Sequence, residues 1–237
     1  MKSKLKILFF TGAGVSAESG LQTFRDAKDG LWNNYAIEDV CTPEGWSKNP
    51  ELVLDFYNQR RKQCLEAFPN KAHEIIAELE QKYNVTVVTQ NVDNLHERAG
   101  STNVIHLHGE LMKSRSTKDE KLIYPITENI KLGDSCEKQS QLRPHIVWFG
   151  EQLEDANINL AVKAAMECNL CVIIGSSLQV YPANQIPSYV HPNSKVVVID
   201  PSDLEVDIDQ NNSIHFMKCS AVKGMEEIHK VLSEMEV

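Results

Sequence analysis

The chain has 237 residues, 42% of them hydrophobic and 24% charged, with a formal net charge of -9 at pH 7. Such proportions fit an ordinary folded protein with one large domain or one large and one small, and exclude a disordered chain. The acidic balance argues against direct nucleic-acid binding, which relies on clustered Lys and Arg, and leaves small ligands and other proteins as the expected partners.

The N-terminal "MKSKLKILFF" sets positive charge ahead of apolar residues, but the apolar run is too short for a signal-peptide core. It leads straight into a glycine turn and reads as the first strand of a cytoplasmic protein. That turn, "TGAGVSAESG" at residues 11–20, holds Gly12 and Gly14 in a GxGxxA spacing. Glycines after a strand let the backbone approach a pyrophosphate, and the helix start behind them supplies N–H donors and a positive dipole end. The spacing alone is a weak signal. A dehydrogenase would carry an acidic residue about twenty positions on, at the end of a second strand. Here that place falls in "DGLWNNYAIED", which is not strand-like, so hydride transfer is disfavoured.

Residues 27–71 are helical and rich in polar and aromatic side chains. In "NKAHEIIAELEQKY", Ala72, Ile75, Ile76 and Leu79 share one face behind an Asn70 cap, which predicts a helix. "VTVVTQ", "NVIHLHG", "HIVWFG", "LCVIIGSS" and "KVVVID" read as further strands, several apolar on both faces as in a covered parallel sheet. "INLAVKAAMECN" is another helix, and residues 111–145 are polar without a long apolar run. The alternation predicts an α/β fold with a doubly wound parallel sheet. Its domain is drawn from residues 1–26, 72–110 and 146–237, with 27–71 and 111–145 inserted as a smaller lobe. No repeat, low-complexity tract or transmembrane segment is visible.

Six cysteines, Cys41, Cys64, Cys136, Cys168, Cys171 and Cys219, are too scattered for a disulfide framework and fit a reducing compartment. The CxxC pair "CNLC", Cys168 to Cys171, lacks a second pair of ligands spaced for zinc. It reads as two small semi-buried residues at a helix-to-strand junction.

Taken in order, "TGAGVSAESGLQTFRD", "TQNVDNLHERAGS", "HLHGE", "VWFGE" and "IGSSLQVYPA" resemble the motif series of the sirtuins, the NAD-dependent protein lysine deacylases, over nearly the whole chain. The resemblance implies a Rossmann-like domain with a small lobe made of a helical module and a zinc ribbon. It implies NAD as cofactor, acylated lysine side chains of other proteins as substrate, and nicotinamide and O-acyl-ADP-ribose as products. By the same resemblance Gly12, Ala13, Gly14, Ala17 and Glu18 wrap the dinucleotide, with Phe24 and Arg25 in the loop that covers it. Gln90, Asn91 and Asp93 match the family's "QNxD" around nicotinamide and ribose, where fixing a carboxamide takes both a donor and an acceptor. Gly175, Ser176 and Ser177 match a turn that receives phosphate or ribose. The adenosine end falls at Val198 and Asp200 in "VVVIDPS" and at Ser220. Val198 stands where many sirtuins carry Asn, and Ser220 where Ala or similar is usual.

An imidazole near neutrality can take a proton from a ribose hydroxyl and return it. His106 and His108 have the same parity along the expected strand, so geometry alone does not separate them. His108 directly precedes Gly109, as the family's general base precedes its glycine.

Three further features refine the expectation. The family's ribbon uses two Cys pairs, yet between "HGE" and "LRPHIVWFGE" this chain has only Cys136, with Ser114 and Ser116 near the first pair's place. One thiolate cannot hold a structural zinc, so no metal is expected, and the lobe must be held by packing of residues such as Leu122, Ile123, Tyr124, Ile126 and Ile130. Cys41, before "TPEG", stands where this subgroup usually has Ala, which narrows the acyl pocket. In "FYNQRR", Tyr57 and Arg60 share a helix face and match the YxxR of the sirtuins that remove succinyl, malonyl or glutaryl groups. Phenol and guanidinium together suit a distal carboxylate; the plain alternative is a solvated basic face of Arg60, Arg61 and Lys62. Two other classes stay open: an NAD-consuming ADP-ribosyltransferase or hydrolase, and a non-catalytic NAD sensor.

Overall fold

The structure, a computed structural model, describes residues 4–21, 35–204, 206, 208 and 212–234. The chain runs β1 (Lys6–Thr11), a 3-10 helix (Ala13–Ser19), α1 (Ile37–Val40), α2 (Pro43–Lys48), α3 (Pro50–Glu66), α4 (Lys71–Leu79), β2 (Asn84–Thr89), α5 (Leu95–Ala99) and β3 (Val104–His106). It continues through β4 (Gly109–Ser116), β5 (Ile123–Pro125), β6 (Leu142–Ile146), α6 (Asp155–Glu167), β7 (Leu170–Ile174), a 3-10 helix (Ala183–Tyr189), β8 (Lys195–Ile199), β9 (Ile214–Met217) and α7 (Ala221–Glu234).

Six parallel strands form one sheet in the order β3-β2-β1-β7-β8-β9. In doubly wound sheets of this order ligands bind outside the carboxyl ends of the strands where the winding reverses. That point lies between β1 and β7, whose last residues Thr11 and Ile174 are register partners.

The sheet is covered on both faces because its strands are apolar on both. Leu8 and Phe10 of β1 pack with Ala161 and Ala165 of α6, while Ile7 and Phe9 pack with Ile75, Ile76 and Leu79 of α4 and Met225 and Ile228 of α7. Burying one such large side chain contributes roughly 1.5–3 kcal/mol. Helix α4 starts where Asn70 caps it: its side chain accepts from Ala72 N at 2.9 Å, and His73 Nδ1 accepts from Asn70 N at 3.3 Å.

Several details differ from the sequence expectation. The segment after the glycine turn is a seven-residue 3-10 helix, ended by Gly20 in the left-handed region at φ 85°. "NVIHLHG" is a strand only to His106; the chain bends at Leu107 and His108 and enters a second sheet at Gly109. "HIVWFG" contributes only its first residues to a strand, and that strand, β6, belongs to an antiparallel sheet in the order β5-β4-β6. The edge strand β9 has no clear apolar alternation and was not expected from the sequence.

The small sheet is not held by the apolar residues expected to hold it. Ile123 is 41% exposed, and of the five named only Ile130 is buried, at 1% exposure. Leu111 of β4 and Ile146 of β6 pack against Val53, Phe56 and Tyr57 of α3 instead, and hydrogen bonds link the turns: Thr117 to Ser140 at 2.6 Å, Cys136 Sγ to Ser116 Oγ at 3.2 Å, Lys138 to Asp119 at 2.6 Å, and Tyr124 to Glu137. Asn58 of α3 grips the Ile130 backbone twice, at 2.9 Å each. Arg61 is buried rather than part of a solvated basic face, and its Nε donates to Leu111 O at 2.8 Å, tying α3 to β4.

Candidate active site

Two turns meet at the carboxyl ends of β1 and β7. Gly12 N donates to Ile174 O at 3.0 Å and Gly14 N to Gly175 O at 2.9 Å. A Cβ on Gly12 would lie 2.7 Å from Gly175 O, and one on Gly14 would lie 2.5 Å from Gly175 Cα. The glycines are therefore required first by the contact between the two turns, which brings Gly12 beside Gly175 and Ser176.

The turn after β2 closes the crevice. Ser176 Oγ donates to Gln90 Oε1 at 2.7 Å, joining the two sites that "IGSS" and "QNVD" supply. Gln90 Nε2 is buried and has no partner among the described residues. A buried unpaired donor is costly, and an arriving ligand acceptor would satisfy it. Asn91 Nδ2 donates to Ser16 Oγ at 3.1 Å, and Ser16 Oγ donates to Asp93 Oδ2 at 3.1 Å. Asp93 Oδ1 accepts from Leu95 N at 3.1 Å, and burial raises its pKa above the usual carboxylate value.

Beneath this floor lies a buried polar layer that the sequence reading missed. His73 Nε2 faces Ser16 Oγ at 3.5 Å, and His96 Nε2 faces Thr11 Oγ1 at 3.1 Å. Thr11 Oγ1 donates to Thr89 Oγ1 at 2.8 Å, which also accepts from Asn91 N at 3.0 Å. Burial holds both imidazoles neutral: His73 falls to about 4, and His96 lies well below its ordinary value. Ser16 sits inside the quoted glycine motif; its spacing between Gly14 and Glu18 was the available signal.

The two candidate histidines separate cleanly. His108 lies in the bend between the sheets, with Nδ1 2.9 Å from Gln90 O. A carbonyl only accepts, so Nδ1 carries the hydrogen and Nε2 keeps its lone pair. Burial lowers the His108 pKa, partly opposed by the Gln90 bond, so the ring is neutral near pH 7. His106 instead lies between two acceptors, Asn91 O at 2.9 Å and Glu97 Oε1 at 2.7 Å. Burial alone would lower its pKa, but the Glu97 carboxylate outweighs burial and raises it. A ring donating from both nitrogens has no lone pair for base chemistry.

At the adenosine end the residues scatter more. Val198 is 2% exposed and packs in the core, its edge lining a groove of about 220 Å³ with Asp200, Ser202, Leu204 and Phe216. Asp200 Oδ1 accepts from Ser202 N at 2.9 Å. Glu18 accepts from Ser220 Oγ at 3.1 Å and from Val222 N at 2.9 Å, so its carboxylate caps α7. Ala17 is exposed and Ser177 half-buried. Phe24 and Arg25 lie outside the described residues.

Across β4 and β6, α3 presents Tyr57. Its Oη accepts from Trp148 Nε1 at 3.1 Å and lies 3.4 Å from Cys41 Sγ. Burial pushes the Tyr57 pKa well up, so the phenol stays protonated, and the Arg60 charge acts on both Tyr57 and Cys41. Arg60 is half-buried, with its guanidinium 5.8 Å from the Phe56 ring centre. Among the described residues no group of three or more His, Cys, Asp or Glu side chains could hold a metal ion. Cys168 and Cys171 are both buried thiols, at the end of α6 and in β7.

A crevice at the reversal point of a doubly wound sheet, lined by glycine turns and amide side chains, with a His108 ring nitrogen that has no partner among the described residues, defines a nucleotide-using enzyme. The Sir2 family model matches residues 12–182. An NAD-dependent protein deacylase of Helicobacter pylori is 48% identical over 97% of this chain and 98% of its own length. One from Bacteroides thetaiotaomicron is 49% identical over 95% and 97%. A mutant Sir2 homologue in an ADP-ribose complex superposes with a TM-score of 0.87 at 37% identity, covering 97% of this chain and 93% of that one. A Sir2 homologue in an NAD complex gives 0.86 at 37% identity, covering 97% and 90%. The chain belongs to the Sir2 family.

Proposed function

We propose that this NAD-dependent protein deacylase removes succinyl and malonyl as well as acetyl groups from lysine side chains, releasing nicotinamide and O-acyl-ADP-ribose. The observation that carries the acyl reading is that α3 sets the buried phenol of Tyr57 one turn before the half-buried Arg60 guanidinium. A carboxylate entering an apolar tunnel loses hydration, which a placed cation and donor offset.

When bound, NAD supplies the ribose carbon that the acyl oxygen attacks as nicotinamide leaves. The residues present fit it: the Gly12–Gly14 and Gly175–Ser177 turns offer backbone close to one another, and Gln90 Nε2 offers a buried donor without a partner among the described residues. In this reading Ala13, Ala17, Glu18, Phe24 and Arg25 complete the cover, and Val198, Asp200 and Ser220 border the adenosine. Asn91 and Asp93, fixed through Ser16, orient nicotinamide and ribose, and His108 Nε2 takes the ribose proton. The NAD domain comprises residues 1–26, 72–110 and 146–237. The insertions 27–71 and 111–145 form the small lobe, which works without zinc. The single thiol of the 111–145 insertion, Cys136, already bonds Ser116. No helix of the described residues is long and apolar enough to cross a membrane; we place the enzyme in the cytoplasm, where its free thiols stay reduced.

Arg60→Met tests the acyl reading. A charge-assisted hydrogen bond is worth roughly 1.5–3 kcal/mol, so succinyl-lysine turnover should fall about tenfold to a hundredfold relative to acetyl-lysine. A wild type that treats both acyl groups alike, with the substitution lowering both equally, makes the enzyme a general deacylase.

A further inference from the structure

The bonds of Trp148 assign it a task that rests on the acyl-carboxylate reading of Tyr57 and Arg60. An indole N–H can donate and cannot accept. At 3.1 Å from Trp148 Nε1, the phenol oxygen of Tyr57 therefore receives a hydrogen, and its own single hydrogen is left for another partner. Among the described residues its remaining hydrogen-bond neighbour is Cys41 Sγ at 3.4 Å, a weak acceptor.

Trp148 is itself held firmly. The Arg143 guanidinium lies 3.2 Å over its ring centre. Its backbone N donates to Glu151 Oε2 at 2.8 Å, and the same carboxylate receives Arg143 at 2.6 and 3.0 Å and Arg115 at 3.1 Å. Its ring packs 5.7 Å from that of Trp46. The indole N–H thus has a fixed direction, set by a buried ionic cluster at the edge of the small sheet.

We propose that Trp148 is a positioning residue for acyl selectivity: its indole N–H occupies the acceptor side of the Tyr57 oxygen and turns the phenol hydrogen toward the distal carboxylate of a succinyl or malonyl group. When such a group binds, the phenol exchanges sulfur for a charged oxygen, a markedly stronger acceptor. An acetyl group offers no carboxylate and gains nothing from the exchange.

The test measures kcat/KM for succinyl- and acetyl-lysine peptides in the wild type, Trp148→Phe, Tyr57→Phe and the double variant. Trp148→Phe keeps an aromatic face for Arg143 and Trp46 and removes the donor. The ratio of succinyl to acetyl efficiency should fall about five- to tenfold, as for one lost hydrogen bond, through KM for the succinyl peptide. In the Tyr57→Phe background the same change should leave the ratio where Tyr57→Phe has put it. If Trp148→Phe does not fold, 3-benzothienylalanine at position 148 keeps the shape, exchanges N–H for sulfur and should give the same fall. A ratio lowered by Tyr57→Phe but untouched by the loss of the indole N–H overturns the assignment and leaves the acyl reading standing. A ratio untouched by Tyr57→Phe overturns both.

Discussion

The Nδ1 atom of His108 lies 2.9 Å from the carbonyl oxygen of Gln90, and that one contact decides which ring nitrogen is left to act as a base. His106, two residues earlier, spends both nitrogens on Asn91 O and Glu97. His108→Ala should therefore abolish deacylation without unfolding the protein, since a general base contributes on the order of 10²- to 10⁴-fold. Circular dichroism checks the fold, and peptide turnover checks the chemistry. Activity within about tenfold of wild type would remove His108 from the role.

The same contact sets a pH dependence. Burial lowers the His108 pKa from its ordinary 6.5, so more than half of its rings are neutral at that pH. The acid limb of the kcat/KM profile should fall below pH 6.5, and a limb centred above it would contradict the assignment.

Stability should also fall on acidification. His73 titrates at about 4 in the fold against 6.5 in the unfolded chain, and burial lowers His96 as well. Below pH 6.5 the unfolded chain binds the more protons, so stability is lost as pH drops toward 4, for His73 alone on the order of 3 kcal/mol. His106 has a raised pKa, so its contribution changes above pH 6.5 and is fully present below it. A melting temperature that stays level from pH 6.5 to 4.5 would contradict this balance.

Much of the architecture was legible because β1, β2, β7 and β8 are apolar on both faces and α4 carries its apolar stripe behind a capping Asn70. The exchange of sheets at His108 was not, because "NVIHLHG" reads as one strand. What breaks it is the backbone of Gly109, at φ +82° with a would-be Cβ 2.1 Å from His145 O. Of the candidate site, the Gly, Gln-Asn and His108 positions were named from motif order. The buried layer of Thr11, His73, Thr89 and His96 could not, since its members lie far apart in the chain and meet only through tertiary packing.

Gly109→Ala should consequently damage both fold and activity. The left-handed backbone costs about 1–3 kcal/mol for a residue with a side chain, and the contact with His145 O leaves no room for the methyl group. Urea unfolding should show a lower midpoint, with deacylation falling alongside; an unchanged midpoint would mean that the crossover tolerates a side chain.

The small lobe predicts its own metal analysis. Thr117 to Ser140, Cys136 to Ser116 and Lys138 to Asp119 join its turns. Elemental analysis of the purified protein should find essentially no zinc, and chelators should leave its melting temperature unchanged. One tightly held metal per chain, with unfolding on chelation, would show that other ligands, His145 or the Cys168 and Cys171 pair, had been overlooked.

Nicotinamide release from NAD, followed with and without acyl-lysine peptides, tests the central claim most directly. Release should require the peptide, should be faster with succinyl- or malonyl-lysine than with acetyl-lysine, and its steady-state rate should fall on the order of 10²- to 10⁴-fold in His108→Ala. Release that proceeds equally well without peptide would instead indicate an ADP-ribosyltransferase or hydrolase, and no release under any condition would indicate a non-catalytic NAD sensor.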